Sequence, residues 1–178
     1  TVGHQWADVS EKGYGVALLN DCKYGYDIKD SVLRLTLLKS AVHPDPEQDQ
    51  GHHAFTYALY PHTGDFVEGG VVQEAWELNN PLHAVPGQLE GEPLFSIEGG
   101  NVLVDAVKRS EDGADIVLRL HEYAGSRTQV RIESAYSIAS WQECNLMEEP
   151  QGEWREDGLS FQIRPYQIRT FRIKLRQM

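Results

Sequence analysis

The sequence predicts an all-β fold, an antiparallel two-sheet β-sandwich with one short helix. Apolar and polar residues alternate with period two along much of the chain, as in strands with one buried face. Turn sequences rich in glycine, asparagine and aspartate separate these runs, and no helical pattern recurs between them. Many short strands without repeating helices favour a sandwich, and a partly closed β-barrel is the alternative.

The alternating runs give the individual strands. The pattern predicts strands around residues 33–37, 55–59 and 116–120, and over Tyr14–Leu19, Asn101–Lys108, Thr128–Glu133, Leu159–Arg164 and Arg169–Arg176. Short turns such as Glu111-Asp112-Gly113 and Ala124-Gly125-Ser126 join neighbouring runs. Because such turns connect antiparallel strands, we expect hairpins throughout.

One segment departs from the strand pattern. In Val71–Leu78 the apolar residues recur at helical offsets, and Asn79-Asn80-Pro81 follows, where proline ends a helix. We predict a short helix here, with an irregular edge strand as the alternative. The chain has no internal repeat and no stretch long enough to be a domain linker, so we expect a single domain over residues 1–178.

The composition is that of a folded, acidic domain. The 178 residues include 16 Lys+Arg and 27 Asp+Glu, a formal net charge of −11. Nucleic acids and anionic membranes both attract clustered basic residues, so we expect neither as a partner. Five basic residues and no acid lie between Leu159 and Met178, and we expect neighbouring strands to supply carboxylates to them.

The cysteines indicate a compartment. Cys22 and Cys144 are the only two, lie far apart and have no metal-like spacing. We therefore interpret them as reduced thiols, which suits a cytoplasmic protein.

Common catalytic motifs are absent, but the polar segment at residues 19–27 is suggestive. The chain has no Gly-x-Ser-x-Gly elbow, no phosphate-binding Gly-Lys-Ser/Thr loop and no His-Glu-x-x-His helix. Residues 19–27 follow an apolar strand and combine Asn, Asp, Lys and Tyr. Such side chains suit sugar hydroxyls and pyranose faces, although a turn whose tyrosines cover the edge of the core would look the same.

A second polar segment, residues 43–53, has three histidines and three acids. Pro44 and Pro46 prevent a regular helix or central strand there, so the ligand geometry of a metal site does not follow from the spacing. We expect a solvated acidic loop and no metal in this chain. The histidines His62 and His121 are interpreted as satisfied side chains, and the scattered tryptophans as core residues rather than a sugar-stacking platform.

Several motifs together resemble a known family. Trp6–Glu11 and Tyr14–Asp27 closely resemble the C-terminal region of glycoside hydrolase family 38 α-mannosidases of the bacterial, fungal and cytosolic type. Similar segments follow in the same order over nearly the whole chain: Leu33–Ser40, Pro44-Asp45-Pro46, Asp49-Gln50-Gly51, Phe55–His62, Ala75–Leu82, Asn101–Lys108 and Ile163–Leu175. The order of these motifs is more specific than any one of them.

The resemblance implies that the chain is the C-terminal β-domain of a larger enzyme that hydrolyses terminal α-mannosides. In that family an N-terminal β/α domain holds the zinc ligands and the aspartate nucleophile of a retaining mechanism. We therefore expect no catalytic residue in this chain, zinc bound outside it, and no activity of the chain alone. The expected partners are the N-terminal catalytic domain and an α-mannoside substrate, and a homo-oligomer stays open.

The resemblance also implies a site at the presumed end of the sandwich, where we expect residues that line the rim of the mannose site or dock on the catalytic domain: Asn20, Asp21, Lys23, Tyr24, Lys39 and Asp49. Lys39 is included because related enzymes carry a basic residue near this point. Three functions follow as alternatives. The chain completes or buttresses a catalytic pocket, or is an autonomous carbohydrate-binding module, or is a purely structural or oligomerisation domain.

Overall fold

The computed structural model describes residues 1–87 and 92–176, which form antiparallel sheets and one short helix. The chain divides into two units, Thr1–Pro86 and Gly87–Met178, and each is described by itself. The expectation of a single domain over residues 1–178 stays a prediction. Within the described ranges, no helix has the length and apolar character needed to cross a membrane.

The first unit contains five strands: β1 (Trp6–Glu11), β2 (Tyr14–Asn20), β3 (Tyr26–Lys29), β4 (Val32–Leu35) and β5 (Tyr57–His62). Strands β1, β2 and β5 form an antiparallel sheet in that order. Strands β3 and β4 pair separately as a hairpin.

Helix α1 (Val71–Asn79) covers one face of the three-stranded sheet, which we call the inner face. Alternate strand residues point to opposite faces, so Ala17 and Leu19 share a side and meet Val71 and Ala75 of the helix. These four side chains are buried together and form the core of the unit. The helix predicted over residues 71–78 is confirmed.

The opposite, outer face of the same sheet is also apolar. Its residues are Val9 on β1, Val16 and Leu18 on β2, and Leu59 on β5. With Leu33 of the hairpin they line an open groove of about 450 Å³. Leu59 remains 69% exposed, so this face holds apolar surface that the described residues do not cover.

The second unit is a two-sheet sandwich, which confirms the predicted fold class. One sheet has four strands in the order β10-β12-β8-β7, and the facing sheet has three strands in the order β11-β9-β6. Within the described ranges neither sheet closes on itself, so the barrel alternative is not adopted. The strands are β6 (Ser96–Glu98), β7 (Val102–Arg109), β8 (Ile116–Glu122), β9 (Thr128–Glu133), β10 (Ile138–Cys144), β11 (Ser160–Ile163) and β12 (Ile168–Leu175).

The sandwich core lies between these two sheets. Leu118 of β8 and Phe171 of β12 are fully buried on one side, and Val130 of β9 and Ile163 of β11 are fully buried on the other. Trp141 of β10 meets Phe171 edge-on at a centroid distance of 5.7 Å. Such interdigitated apolar side chains supply most of the stability of a domain of this kind.

The basic last segment finds carboxylates on its neighbours, as its charge predicted. The Arg169 guanidinium donates to Glu143 of β10 at 2.6 Å. Arg172 donates to Asp112 at 2.6 Å and also contacts Asp115 in the turn before β8. These pairs tie β12 to its neighbours on both sides.

Candidate functional site

The polar segment after β2 is a loop built around Asn20, which is fully buried. Its amide Nδ2 donates to the Tyr26 hydroxyl, and its Oδ1 accepts the Lys23 backbone N–H at 2.6 Å. Its backbone carbonyl accepts a bond of 3.0 Å from Nδ2 of Asn79, at the end of α1. Asn20 therefore holds the loop in place, and its side chain has no surface left for a ligand.

Tyr26 completes the anchor beneath the loop. Its buried hydroxyl donates to the Leu18 carbonyl at 3.2 Å while it accepts from Asn20. Burial raises the pKa of Tyr26, so the phenol keeps its proton and this donor role. The residue at the start of β3 thus joins the hairpin to β2.

Asp21 ties the loop to the segment before β5. Its backbone N–H donates to the Thr56 carbonyl at 3.2 Å, and its Oδ2 accepts the Thr56 N–H at 2.9 Å. The hydrogen bond from Thr56 lowers the pKa of Asp21, so its carboxylate stays ionised. Asp21 therefore fixes the distance between residues 20–24 and residues 55–57.

Four aromatic rings and one lysine lie where these two segments meet. The Tyr24 ring stacks on His4 with centroids 4.6 Å apart and planes inclined by 16°. Phe55 stacks on Tyr57 at 6.4 Å and 26°, and Lys23 Nζ lies 4.9 Å from the centre of the Phe55 ring. We call these five residues the aromatic patch. Tyr24 is 45% exposed and Tyr57 is 55% exposed.

The first residues of the chain brace this patch. The Gly3 N–H donates to the Tyr24 carbonyl at 3.1 Å, and Thr1 exchanges two hydrogen bonds with the backbone of Tyr26. His4 thereby lies beside Tyr24. The sequence patterns did not single out His4, Phe55 or Tyr57 as site residues, because their contacts join three segments that are distant in the chain.

Lys39 and Asp49 lie apart from the other four predicted site residues. Both are exposed in the irregular stretch between β4 and β5. The Asp49 backbone carbonyl contacts His53 Nε2 at 2.8 Å. In the part of the chain that the structure describes, no hydrogen bond or ion pair joins Lys39 or Asp49 to Asn20, Asp21, Lys23 or Tyr24. The substrate or docking role of all six residues stays a prediction.

The histidine- and acid-rich segment 43–53 does not form a zinc cradle. Asp45 Oδ1 accepts the Glu47 backbone N–H at 2.9 Å, which closes a local turn. Across residues 1–87 and 92–176, no three His, Cys, Asp or Glu side chains converge as a metal would require. The described side chains of this segment therefore do not form a three-ligand metal site.

A buried Asp–His pair supports the inner face of the first unit. His62 Nε2 lies 2.9 Å from Asp8 Oδ1, and both side chains are almost fully buried. The His62 ring reaches from β5 across Gly15 of β2, where a Cβ atom would lie 2.3 Å from Cε1 of the ring. His62 thus has a hydrogen-bond partner, as predicted. The sequence analysis did not identify Asp8 as that partner. A strand glycine that leaves room for a large neighbour is the signal that could have pointed to the pair.

Glu122 is a fully buried acid of the second unit. Its carboxylate accepts the backbone N–H groups of Ala124, Gly125, Ser126 and Tyr166 and the Ser126 hydroxyl, all at 2.9–3.0 Å. Burial raises the pKa of Glu122, but the hydrogen bonds from Tyr166 and Ser126 outweigh it and the net pKa is lowered. The carboxylate holds two loops together, the opposite of the protonated state that a general acid requires.

Two of the four tryptophans pack in the cores of the two units. Trp141 is buried in the sandwich, and Trp6 stacks on Phe66 beneath the inner face at 5.2 Å. Trp76 and Trp154 are partly buried, and Lys174 Nζ lies 4.0 Å from the Trp154 ring centre. The predicted core role is thus seen for Trp141 and Trp6.

Two family descriptions match this chain. Residues 1–47 match the description "Glycosyl hydrolases family 38 C-terminal domain". Residues 101–171 match "Glycosyl hydrolases family 38 C-terminal beta sandwich domain". The second range lies within the unit that the structure describes as a sandwich.

Similar proteins are much longer than this chain. Alpha-mannosidase 2C1 of Homo sapiens is 38% identical over 176 residues, which cover 93% of the chain and 17% of that protein. Alpha-mannosidase G of Dictyostelium discoideum is 37% identical over 183 residues, which cover 96% of this chain and 17% of that protein. The crystal structure of an alpha-mannosidase from Enterococcus faecalis V583 matches with a TM-score of 0.78 and 22% identity, over 98% of this chain and 21% of that one. That likeness supports the fold. The chain spans about a sixth of the length of the two relatives and about a fifth of the crystallised chain.

Proposed function

The chain belongs to the C-terminal region of glycosyl hydrolase family 38, and from this premise we propose that it buttresses and completes the catalytic pocket of an α-mannosidase. The intact enzyme hydrolyses terminal α-mannosides with retention of configuration, through catalytic groups outside this chain. In this proposal the N-terminal catalytic domain of the same polypeptide is the main partner, and an α-mannoside is the substrate.

The uncovered outer face of the first unit carries the proposal. Val9, Val16 and Leu59 present apolar surface around a groove of about 450 Å³, with Leu59 69% exposed. Contiguous apolar surface of this kind marks a site of protein contact. Since the chain corresponds to about 17% of its relatives' length, the catalytic domain is the occupant that the proposal assigns to this face.

The rim role rests on the loop after β2. Tyr24 is exposed and Lys23 is half-buried on a backbone held by Asn20 and Asp21, and we assign to these two residues the contact with a sugar. Lys39 and Asp49 lie in the irregular stretch between β4 and β5. Their role at the rim of the mannose site stays a prediction. We propose that the zinc of the intact enzyme binds outside this chain, since no three possible ligands converge within residues 1–87 and 92–176.

We also propose a cytoplasmic protein of mannose metabolism. The two cysteines are free, one exposed and one buried, which suits a reducing compartment. A homo-oligomer would compete with the catalytic domain for the outer face, so its presence is an outcome of the same test.

The test uses Leu59→Asp in the intact enzyme. A charge placed on an apolar docking face removes a contact worth at least about 1.4 kcal/mol, so kcat/KM with an aryl α-mannoside should fall roughly tenfold or more. The matched control is Met147→Asp, which places the same charge at a position that is 79% exposed in the second unit. Both variants should keep the circular dichroism and thermal midpoint of the wild type.

Unchanged kinetics for Leu59→Asp would contradict a docking role for the outer face. If the variant instead changed only the oligomeric state measured by light scattering, the face would serve self-association. Lys23→Ala tests the rim in the same assay: kcat/KM should fall without loss of folding, and unchanged kinetics would remove Lys23 from the rim.

A further inference from the structure

We propose that the aromatic patch of the first unit is a binding surface for a neutral hexopyranoside, with Tyr24 and Tyr57 in direct contact with the sugar. The proposal rests on the proposed function for the choice of a mannoside. It goes further because it assigns ligand contacts to His4, Phe55 and Tyr57, which the predicted rim did not include.

The two tyrosines have the exposure and the support that sugar stacking requires. Tyr24 packs nearly parallel on His4, with planes inclined by 16°, and keeps 45% of its surface in solvent. Tyr57 packs beside Phe55 and keeps 55%. An open aromatic face accepts the C–H side of a pyranose ring, and the phenol hydroxyl at its edge exchanges hydrogen bonds with sugar hydroxyls.

The patch is held in position before any ligand arrives. Asn20 fixes the Lys23 backbone, and the double hydrogen bond between Asp21 and Thr56 fixes the separation of the two tyrosine-bearing segments. Gly3 holds the Tyr24 backbone from the other side. Ordering these groups in advance lowers the entropy lost on binding, which matters for a weakly bound ligand such as a monosaccharide.

The charges of the patch suit a hydroxyl-rich, uncharged ligand. Lys23 Nζ lies over Phe55 and makes no ion pair in the described part of the chain, so its N–H groups are available as donors. Asp21 offers no competing surface, because one oxygen accepts from Thr56 and the other is enclosed. Tyr57 lies at the start of β5 on the same outer face as Leu59, so the patch borders the groove of that face, which is lined mainly by valine and leucine together with polar residues such as Glu11 and Ser31.

The test is a titration of the 178-residue chain with methyl α-D-mannopyranoside, followed by ¹H–¹⁵N nuclear magnetic resonance. We expect saturable shifts centred on residues 23–24 and 55–57. Tyr24→Ala and Tyr57→Ala should each weaken the affinity roughly two- to tenfold, the range expected for one aromatic contact. The control is Tyr14→Ala, which removes a tyrosine that is 54% exposed at the other end of β2.

The absence of saturable shifts at the patch, or equal weakening by Tyr14→Ala, would overturn the proposal. Shifts at the patch that appear only when the catalytic domain is added, and never with the mannoside, would also overturn it, since the patch would then be a protein contact. Failure here is distinguishable from failure of the proposed function. Leu59→Asp tests docking through hydrolysis, whereas Tyr24→Ala tests sugar binding at a loop residue outside β5, so the two variants can give opposite results.

Discussion

Asn20→Ala is the most informative single substitution, because Asn20 joins the β2 strand, the loop after it and the β3 strand. The substitution removes the acceptor of the Lys23 backbone N–H and the donor to the Tyr26 hydroxyl. The bond from Asn79 goes to the Asn20 backbone carbonyl and therefore remains. The change is confined to the side-chain network beneath the aromatic patch.

The size of the effect follows from that network. A backbone N–H left without a partner in a buried place costs about 1–3 kcal/mol, and the lost bond to Tyr26 adds about 1 kcal/mol. Tyr26 keeps its bond to the Leu18 carbonyl, so its hydroxyl is not left unpaired. We expect the first unit to lose about 2–4 kcal/mol. For a unit of that size, each kcal/mol lowers the thermal midpoint by roughly 4–8 °C.

The assay combines urea unfolding with amide hydrogen exchange of Lys23. The stability should fall as calculated, and the Lys23 amide should lose protection more than the amides of β1. A double-mutant cycle with Tyr26→Phe isolates the side-chain pair, and we expect a coupling energy of about 0.5–1.5 kcal/mol. Additive effects, or an unchanged exchange rate at Lys23, would refute the assignment of Asn20 as the residue that positions the loop.

Three further predictions concern the supports of the two units. Gly15→Ala should destabilise the first unit by about 2–4 kcal/mol in urea unfolding, because the new Cβ would displace His62 from Asp8. The control Gly13→Ala, whose Cβ would have no neighbour within 4 Å, should have little effect in the same assay. Glu122→Gln should cost the second unit about 2–5 kcal/mol in urea unfolding, because one carboxylate oxygen becomes an amide group facing at least two backbone N–H donors, and an unchanged midpoint would contradict this role. The folded pKa of Glu122 lies below its ordinary value of 4.5. The carboxylate therefore stabilises the fold above pH 4.5, and this stabilisation is lost as the pH falls through the folded pKa. Acid unfolding of Glu122→Gln should accordingly depend less on pH than that of the wild type.

The sequence was most informative where one face of a strand is buried. Leu118 and Leu120 alternate with Arg119 and His121, and both leucines are fully buried in the sandwich core. The helix over residues 71–78 was predictable for the same reason, since its apolar spacing matches the inner face that it covers.

Strands with mixed faces were harder to predict. The β10 strand buries Gln142 beside Trp141 and shifts register between Ile138 and Ser140, so its polar and apolar residues do not alternate cleanly. The β3 strand begins at Tyr26, inside the polar segment that we expected to be one loop. Its pairing with β4 and its anchor on Asn20 depend on contacts that no local pattern encodes.

The site was partly predictable for a similar reason. Polar composition directed attention to Asn20, Asp21, Lys23 and Tyr24, and these residues do share one loop. Composition does not reveal which side chain is buried, so Asn20 was grouped with residues that face solvent. Partners brought in from other segments, such as Tyr57, become visible only when the fold places β5 beside the loop.

The central claim is that this chain supports a mannosidase active site whose chemistry lies elsewhere in the polypeptide. Hydrolysis of 4-nitrophenyl α-D-mannopyranoside tests it most directly, measured for the intact enzyme, for the 178-residue chain alone and for the chain mixed with the separately prepared remainder. We expect activity in the intact enzyme, none in the chain alone, and partial recovery in the mixture. Hydrolysis by the chain alone, or full activity of the remainder without it, would contradict the claim.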